Sequence, residues 1–161
     1  MEKTMNVSDK LGLPLTAVLS LFFGTAVAQD AVEEDDLDDA TNVWIVVEAQ
    51  WAAEEKGDDD WVERMLADGF YGWEKQAPAP RSKSSTEMWN RVGDQLGTTV
   101  AHELHPLEIV IHGDTAIVHY LYASAFKDSD GKIEMNKGRY TDILVRTEDG
   151  WKFLGWHGGE D

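Results

Sequence analysis

The chain has 161 residues, no cysteine, and a net charge of −17 from 14 basic against 31 acidic side chains. So acidic a surface repels phosphate backbones and anionic headgroups, which argues against nucleic acid as a partner. Without thiols there can be no disulfide, no cysteine nucleophile and no Cys-based zinc or iron–sulfur centre. The fold must hold by burial alone, for which seven Trp, five Phe and four Tyr supply apolar area.

Lys3 and Lys10 precede an uncharged apolar run from Leu11 that closes on Ala26-Val27-Ala28. Small residues at those outer positions are what a signal peptidase reads. Residues 1–28 are therefore expected to be a signal peptide cleaved before Gln29, and the protein to be exported, periplasmic or secreted. Gly12, Pro14 and Gly24 interrupt the run, so no stable membrane insertion is expected after cleavage. Residues 29–41 carry seven acidic side chains and read as a solvated acidic leader. Residues 42–161 then form one domain.

Leu37, Ala40, Trp44, Val47 and Trp51 recur at helical spacing, and Gly57 can end that helix by adopting the left-handed conformation. Asp58 is the expected N-cap of a short second helix with Trp61, Met65 and Leu66 on its apolar side. "ADGFYGW", residues 67–73, is expected to turn the chain, with Phe70, Tyr71 and Trp73 as core capping or a lid. "QAPAPRSKSS" reads as a loop. Ser84 and Glu87 form a capping box for a third helix carrying Met88, Trp89, Val92 and Leu96, ended by Gly97.

From Thr98 the period becomes that of strands. Two β-branched and aromatic runs join at Gly113-Asp114, "DSDGK" makes the next turn, and "EDG" at 148–150 leads into a last strand. The expected class is α+β, with about three N-terminal helices on a curved antiparallel sheet of about four strands.

That order of elements, with the spaced tryptophans of the first helix, Gly57-Asp58, "GDTAIV" at 113–118 and "GRYTDILVR…DGWKFLGWH" at 138–157, resembles the NTF2-like superfamily in its SnoaL-like and DUF4440 branches. The resemblance implies a cone, in which a bent sheet wraps the long first helix and leaves a pocket at its open end. It also implies a homodimer through the convex face of the sheet. Members include ketosteroid-isomerase-type enzymes, dehydratases, polyketide cyclases and non-catalytic binding domains, so the fold alone does not fix the function.

Residues two apart on a strand share a face. Tyr140, Asp142 and Leu144 face one way and Arg139, Thr141 and Ile143 the other. Tyr120 and Tyr122 alternate with His119 and Leu121, and Trp151, Phe153, Gly155 and His157 form one row. The resemblance makes Tyr120, Tyr122, Tyr140, Asp142 and His157 concave, with Arg139 on the opposite face. Asp142 and His157 are the candidate catalytic pair, and Tyr120, Tyr122, Tyr140, Trp51 and Trp89 the candidate ligand-binding residues. A carboxylate in an apolar cone has a raised pKa and can shuttle a proton or donate to an oxyanion. The same groups could instead form a satisfied polar network that stiffens the cone.

No metal or cofactor is expected. "HELH" at 102–105 spaces its histidines three apart, not four as the zinc-protease helix requires, and in an extended segment they point to opposite faces. "DSDGKIEMNKGR" lacks the glycine and glutamate of a calcium loop. The expected function is binding of a small apolar or aromatic ligand in the cone without catalysis. The alternatives are a small lyase, isomerase or hydrolase using Asp142 as its acid–base group, and a purely structural dimerisation module.

Overall fold

The computed structural model describes residues 34–161, and the expected signal peptide at 1–28 lies outside the described residues. Helix α1 (Glu34–Glu55) turns Val43, Val47 and Trp51 into the core. It starts inside the acidic stretch read as a leader, where Asp39 is held by a two-pronged ion pair with Arg146. It ends as expected at Gly57, whose φ is +65°. The amide of Gly57 donates to the Glu54 carbonyl and that of Asp58 to the Ala53 carbonyl, both at 3.0 Å, which satisfies two of the helix's last carbonyls.

Helix α2 (Trp61–Met65) buries Trp61 and Val62, and Leu66 follows them into the core. Asp58 is not its cap, because Asp60 holds the N-cap position and makes no side-chain cap bond. Asp58 instead accepts from the Asp60 amide at 3.1 Å and pairs with Arg64 at 2.6 Å, which fixes the turn before the helix.

The segment expected to turn the chain is strand β1 (Leu66–Glu74). Phe70 points inward while Tyr71 and Trp73 lie exposed on the other face, so the three form no lid. Strand β2 (Arg81–Ser82) pairs with β1 and leads into helix α3 (Lys83–Leu96). The cap of α3 is Ser82 rather than Ser84, its hydroxyl accepting from the Ser85 amide at 3.3 Å. The stripe Met88, Trp89, Val92 and Leu96 lies exposed.

Strands β3 (Gly97–His112), β4 (Thr115–Asp128), β5 (Ile133–Thr147) and β6 (Gly150–Glu160) form consecutive antiparallel hairpins. The β3–β4 hairpin turns at Gly113, with φ +56°, and Asp114. The next turns on Asp128, whose carboxylate accepts from the amides of Asp130 and Lys132. The sheet has six strands rather than four, in the order β2-β1-β6-β5-β4-β3, with β1 parallel to β6. The two extra strands escaped the sequence because β1 holds two glycines and β2 only two residues.

Register shifts interrupt β3 against β4 near Val100 and Leu107, and β5 against β6 at Leu154. Such bulges bend a strand and let the sheet curl. The concave face packs Ala116, Val118, Leu144 and Phe153, all completely buried, against Val43 and Val47 of α1. Each such side chain contributes about 1.5–3 kcal/mol for the larger ones. No helix among the described residues is long and apolar enough to cross a membrane.

Candidate functional site

The register of β4 on β5 sets Tyr120 opposite Tyr140 and Val118 opposite Asp142. These side chains therefore share the concave face, and the two tyrosine rings stack with centroids 6.0 Å apart. From α1, the Trp51 indole N–H donates to the Tyr120 hydroxyl at 3.0 Å. Its ring also packs on Tyr122 at 4.9 Å and meets Tyr140 edge-on at 6.3 Å. Behind Tyr120 lies Asp142, 2 % exposed.

Burial pushes the Asp142 carboxyl up from 3.8 to about 8, and hydrogen bonding with Tyr120 opposes that rise. Burial thus favours the protonated form of Asp142, which can donate as well as accept. Burial, and then the charge of Asp142, pushes the Tyr120 hydroxyl well above its ordinary range. Tyr140 is raised by burial and by Glu74, and Tyr122 chiefly by burial.

A chamber of about 70 Å³ remains among Gln50, Trp51, Glu54, Glu74, Tyr120, Tyr140, Asp142 and Trp156. Glu54, Glu74 and Trp156 also line a groove of about 260 Å³, which continues over Trp61, Arg81, Thr86, Trp89, Asn90 and Phe126. Chamber and groove thus adjoin, with Glu54, Glu74 and Trp156 as common walls. Among the described residues, no three His, Asp or Glu side chains are grouped so as to hold a metal ion.

Of the residues singled out from the sequence, Asp142, Tyr120, Tyr140 and Trp51 line the chamber, and Tyr122 backs it through its contacts with Trp51 and Tyr140. Trp89 is not beside them. It lies half-exposed in the groove, with the Arg81 guanidinium 4.9 Å from its ring centroid.

His157 does not face the concave side. β5 pairs Ile143 with Gly155 but Leu144 with Phe153, so Leu154 is an extra residue that inverts the alternation beyond it. His157 consequently lies opposite Thr141 on the outer face and meets Trp73 edge-on at 6.0 Å. There it lines a cavity of about 480 Å³ with His119, Leu107 and Arg139, the last on the outer face as expected, and Tyr120 and Tyr140 border both this cavity and the chamber. His102 and His105 split as their extended spacing requires, His102 against Trp51 and His105 exposed.

The same bulge brings Trp156 inward, a residue the sequence reading missed, to pack on Phe70 at 4.4 Å and on Phe153 at 5.9 Å. Gly72 lies opposite Trp156 on β1. A Cβ there would come within 2.6 Å of the Trp156 ring and 2.8 Å of Phe70, so the glycine makes room for the indole. Gln50 and Glu54 were also missed, although Glu54 follows Trp51 by three residues and so shares its helix face. Glu74 had no signal while its strand read as a turn.

A family profile described as a SnoaL-like domain matches residues 28–157. Among curated proteins none matches the sequence. Among solved structures, the chain is similar to an NTF2-like protein of unknown function in nutrient uptake from Rhodospirillum rubrum, at 24% identity. That match covers 74% of this chain and 98% of the other, with a TM-score of 0.64. It is similar to a ketosteroid isomerase-like protein from Erwinia carotovora atroseptica at 13% identity, covering 76% and 96% of the two chains with a TM-score of 0.68. It is also similar to the CaMKII hub of S. rosetta at 22% identity, covering 75% and 95% with a TM-score of 0.62. At these identities the solved structures speak for the fold alone. The profile spans most of the chain, and the chain belongs to the SnoaL-like domain family, with a fold like that of the NTF2-like structures.

Proposed function

We propose that this domain binds a small molecule in the cone, its body against aromatic ring faces and a polar group reaching Asp142. The observation that carries this reading is the chamber itself, in which four rings surround space that ends on a buried carboxyl bonded to Tyr120. Pockets of this kind, apolar walls with few convergent polar groups, are the usual form of a ligand site. A purely structural module would fill its cone with side chains, whereas Trp51 and Phe153 leave the chamber open and Trp89 stands outside it.

The rival reading is an acid–base lyase, isomerase or hydrolase, and one observation favours it. The Asp142 carboxyl, raised to about 8, titrates near the pH at which a general acid or base is most effective. Tyr120 and Tyr122 would assist, but His157 has no part in it because it lies on the other face.

Export through residues 1–28 belongs to the same proposal, as does a homodimer through the outer face, where Ile117, Leu121, Ile143 and Leu154 are exposed. Native mass spectrometry of the mature protein from its own compartment tests the proposal. A co-purifying small molecule that the protein leaves chemically unchanged supports binding without catalysis, whereas turnover that Asp142→Asn abolishes with affinity retained supports the rival reading. An empty protein that takes up no small molecule overturns it.

A further inference from the structure

We propose that the ligand of the cone is a small organic cation, with its ammonium head among the rings of the chamber and its body in the adjoining groove. The inference rests on the pocket-binding reading above and narrows it to a chemical class. The chamber is lined by four aromatic rings, three carboxyl side chains and one amide, with no Lys, Arg or His among them. The faces of Trp51, Tyr120, Tyr140 and Trp156 carry the negative lobe of the ring quadrupole, which attracts an ammonium placed over them and does so more strongly in a desolvated site. Glu54 and Glu74 line both chamber and groove, so their carboxyl groups border a ligand that occupies the two, with Glu74 shared between it and Arg81.

Other ligand classes fit less well. An anion would meet those carboxylates and the field of a chain carrying −17 overall. The one basic side chain in the groove, Arg81, bonds to Glu74 at 3.1 Å and sits over Trp89, so it is already engaged. A neutral apolar molecule would gain from the rings but would bring neither charge nor hydrogen bond to the carboxyl groups of the chamber. A metal ion needs several oxygen ligands around one point, and among the described residues no such group of side chains exists.

An independent feature lies in the groove. Thr86 is 8 % exposed and its Oγ1 has no hydrogen-bond partner, although buried hydroxyls are ordinarily bonded. A hydroxyl or N–H on the ligand body would satisfy it. The fitting molecule therefore carries an alkylammonium head and a short polar tail.

The test uses the full chain and follows tryptophan fluorescence and titration calorimetry with choline, tetramethylammonium and dimethylbutanol, the uncharged carbon isostere of choline. Choline is expected to bind about tenfold or more tighter than its isostere, the range that a desolvated cation–π site provides. Glu54→Gln and Glu74→Gln should each weaken choline severalfold, with circular dichroism and a thermal melt showing that the variants are folded. An isostere that binds as tightly as choline overturns the cation proposal and leaves the pocket reading standing. So does binding of indole or phenol with no binding of either cation. A folded protein that binds none of these probes overturns both.

Discussion

The indole of Trp51 and the hydroxyl of Tyr120 are 69 residues apart in the chain and 3.0 Å apart in the fold. This bond fixes the long helix to the sheet and orients the hydroxyl that meets Asp142. Trp51→Phe keeps most of the apolar bulk but removes the donor, leaving a buried oxygen one partner short. The expected loss is about 1–3 kcal/mol of unfolding free energy, since a buried polar group stripped of its partner carries its desolvation cost. Urea denaturation measures it, and an unchanged midpoint would show that the bond contributes nothing net.

Asp142 makes stability depend on pH in a direction opposite to that of most carboxylates. Its folded pKa, about 8, lies above its unfolded value, so the native state holds the proton more tightly. Its contribution is fully present below pH 3.8 and is lost as pH rises toward 8, at up to about 1.4 kcal/mol per pH unit for one proton. Asp39 and Asp58, both lowered by arginine hydrogen bonds, act the other way, and their contributions are lost only as pH falls through their folded pKa values, below 3.8. Melting followed between pH 5 and 8, roughly the window between the two Asp142 values, should show stability declining. Asp142→Asn should flatten that decline. A wild-type profile flat across the window would mean that Asp142 is ionised in the fold.

Gly72 and Trp156 occupy space that only one of them can fill. Gly72→Ala is expected to cost about 1–3 kcal/mol, the usual penalty for overpacking. The damage should be reversed in part by Trp156→Leu in the same chain, because the smaller side chain vacates the ring position. A thermal melt of the single and double variants checks this. If Gly72→Ala melts with the wild type, β1 does not approach β6 this closely.

His157 offers the cleanest test of strand register. With the bulge at Leu154, His157→Ala should leave ligand binding in the cone and the pH dependence attributed to Asp142 unaltered. Without the bulge, the same substitution would disturb both. Nuclear magnetic resonance titration of the Asp142 carboxyl in the variant and in the wild type distinguishes the two.

Much of the chamber lining was legible because β4 and β5 keep strict alternation, which groups Tyr120 with Tyr122 and Tyr140 with Asp142, and the family resemblance set both groups on the concave face. Trp51 was equally plain, as the last apolar residue of a regular helical stripe. What stayed hidden depends on partners distant in the chain. Two glycines make β1 look like a turn until Trp156 is seen to need the room at Gly72. Leu154 is unremarkable as a residue, and its extra place in the ladder exists only relative to Leu144 and Ile143. The capping serine of α3 was misplaced by two residues because Ser82, Ser84 and Ser85 offer the same chemistry and only the backbone distinguishes them.

The parallel pairing of β1 with β6 is also expected to be a late event in folding. β3 through β6 can zip by successive hairpins, each closing a short loop, whereas β1 must wait for a strand that begins at Gly150. Long-range parallel contacts of this sort are slow to form. Glu74 and Trp156 come from those two strands, so the chamber is complete only when β1 and β6 are paired. A ligand that bridges them would hold the finished state closed and slow its unfolding.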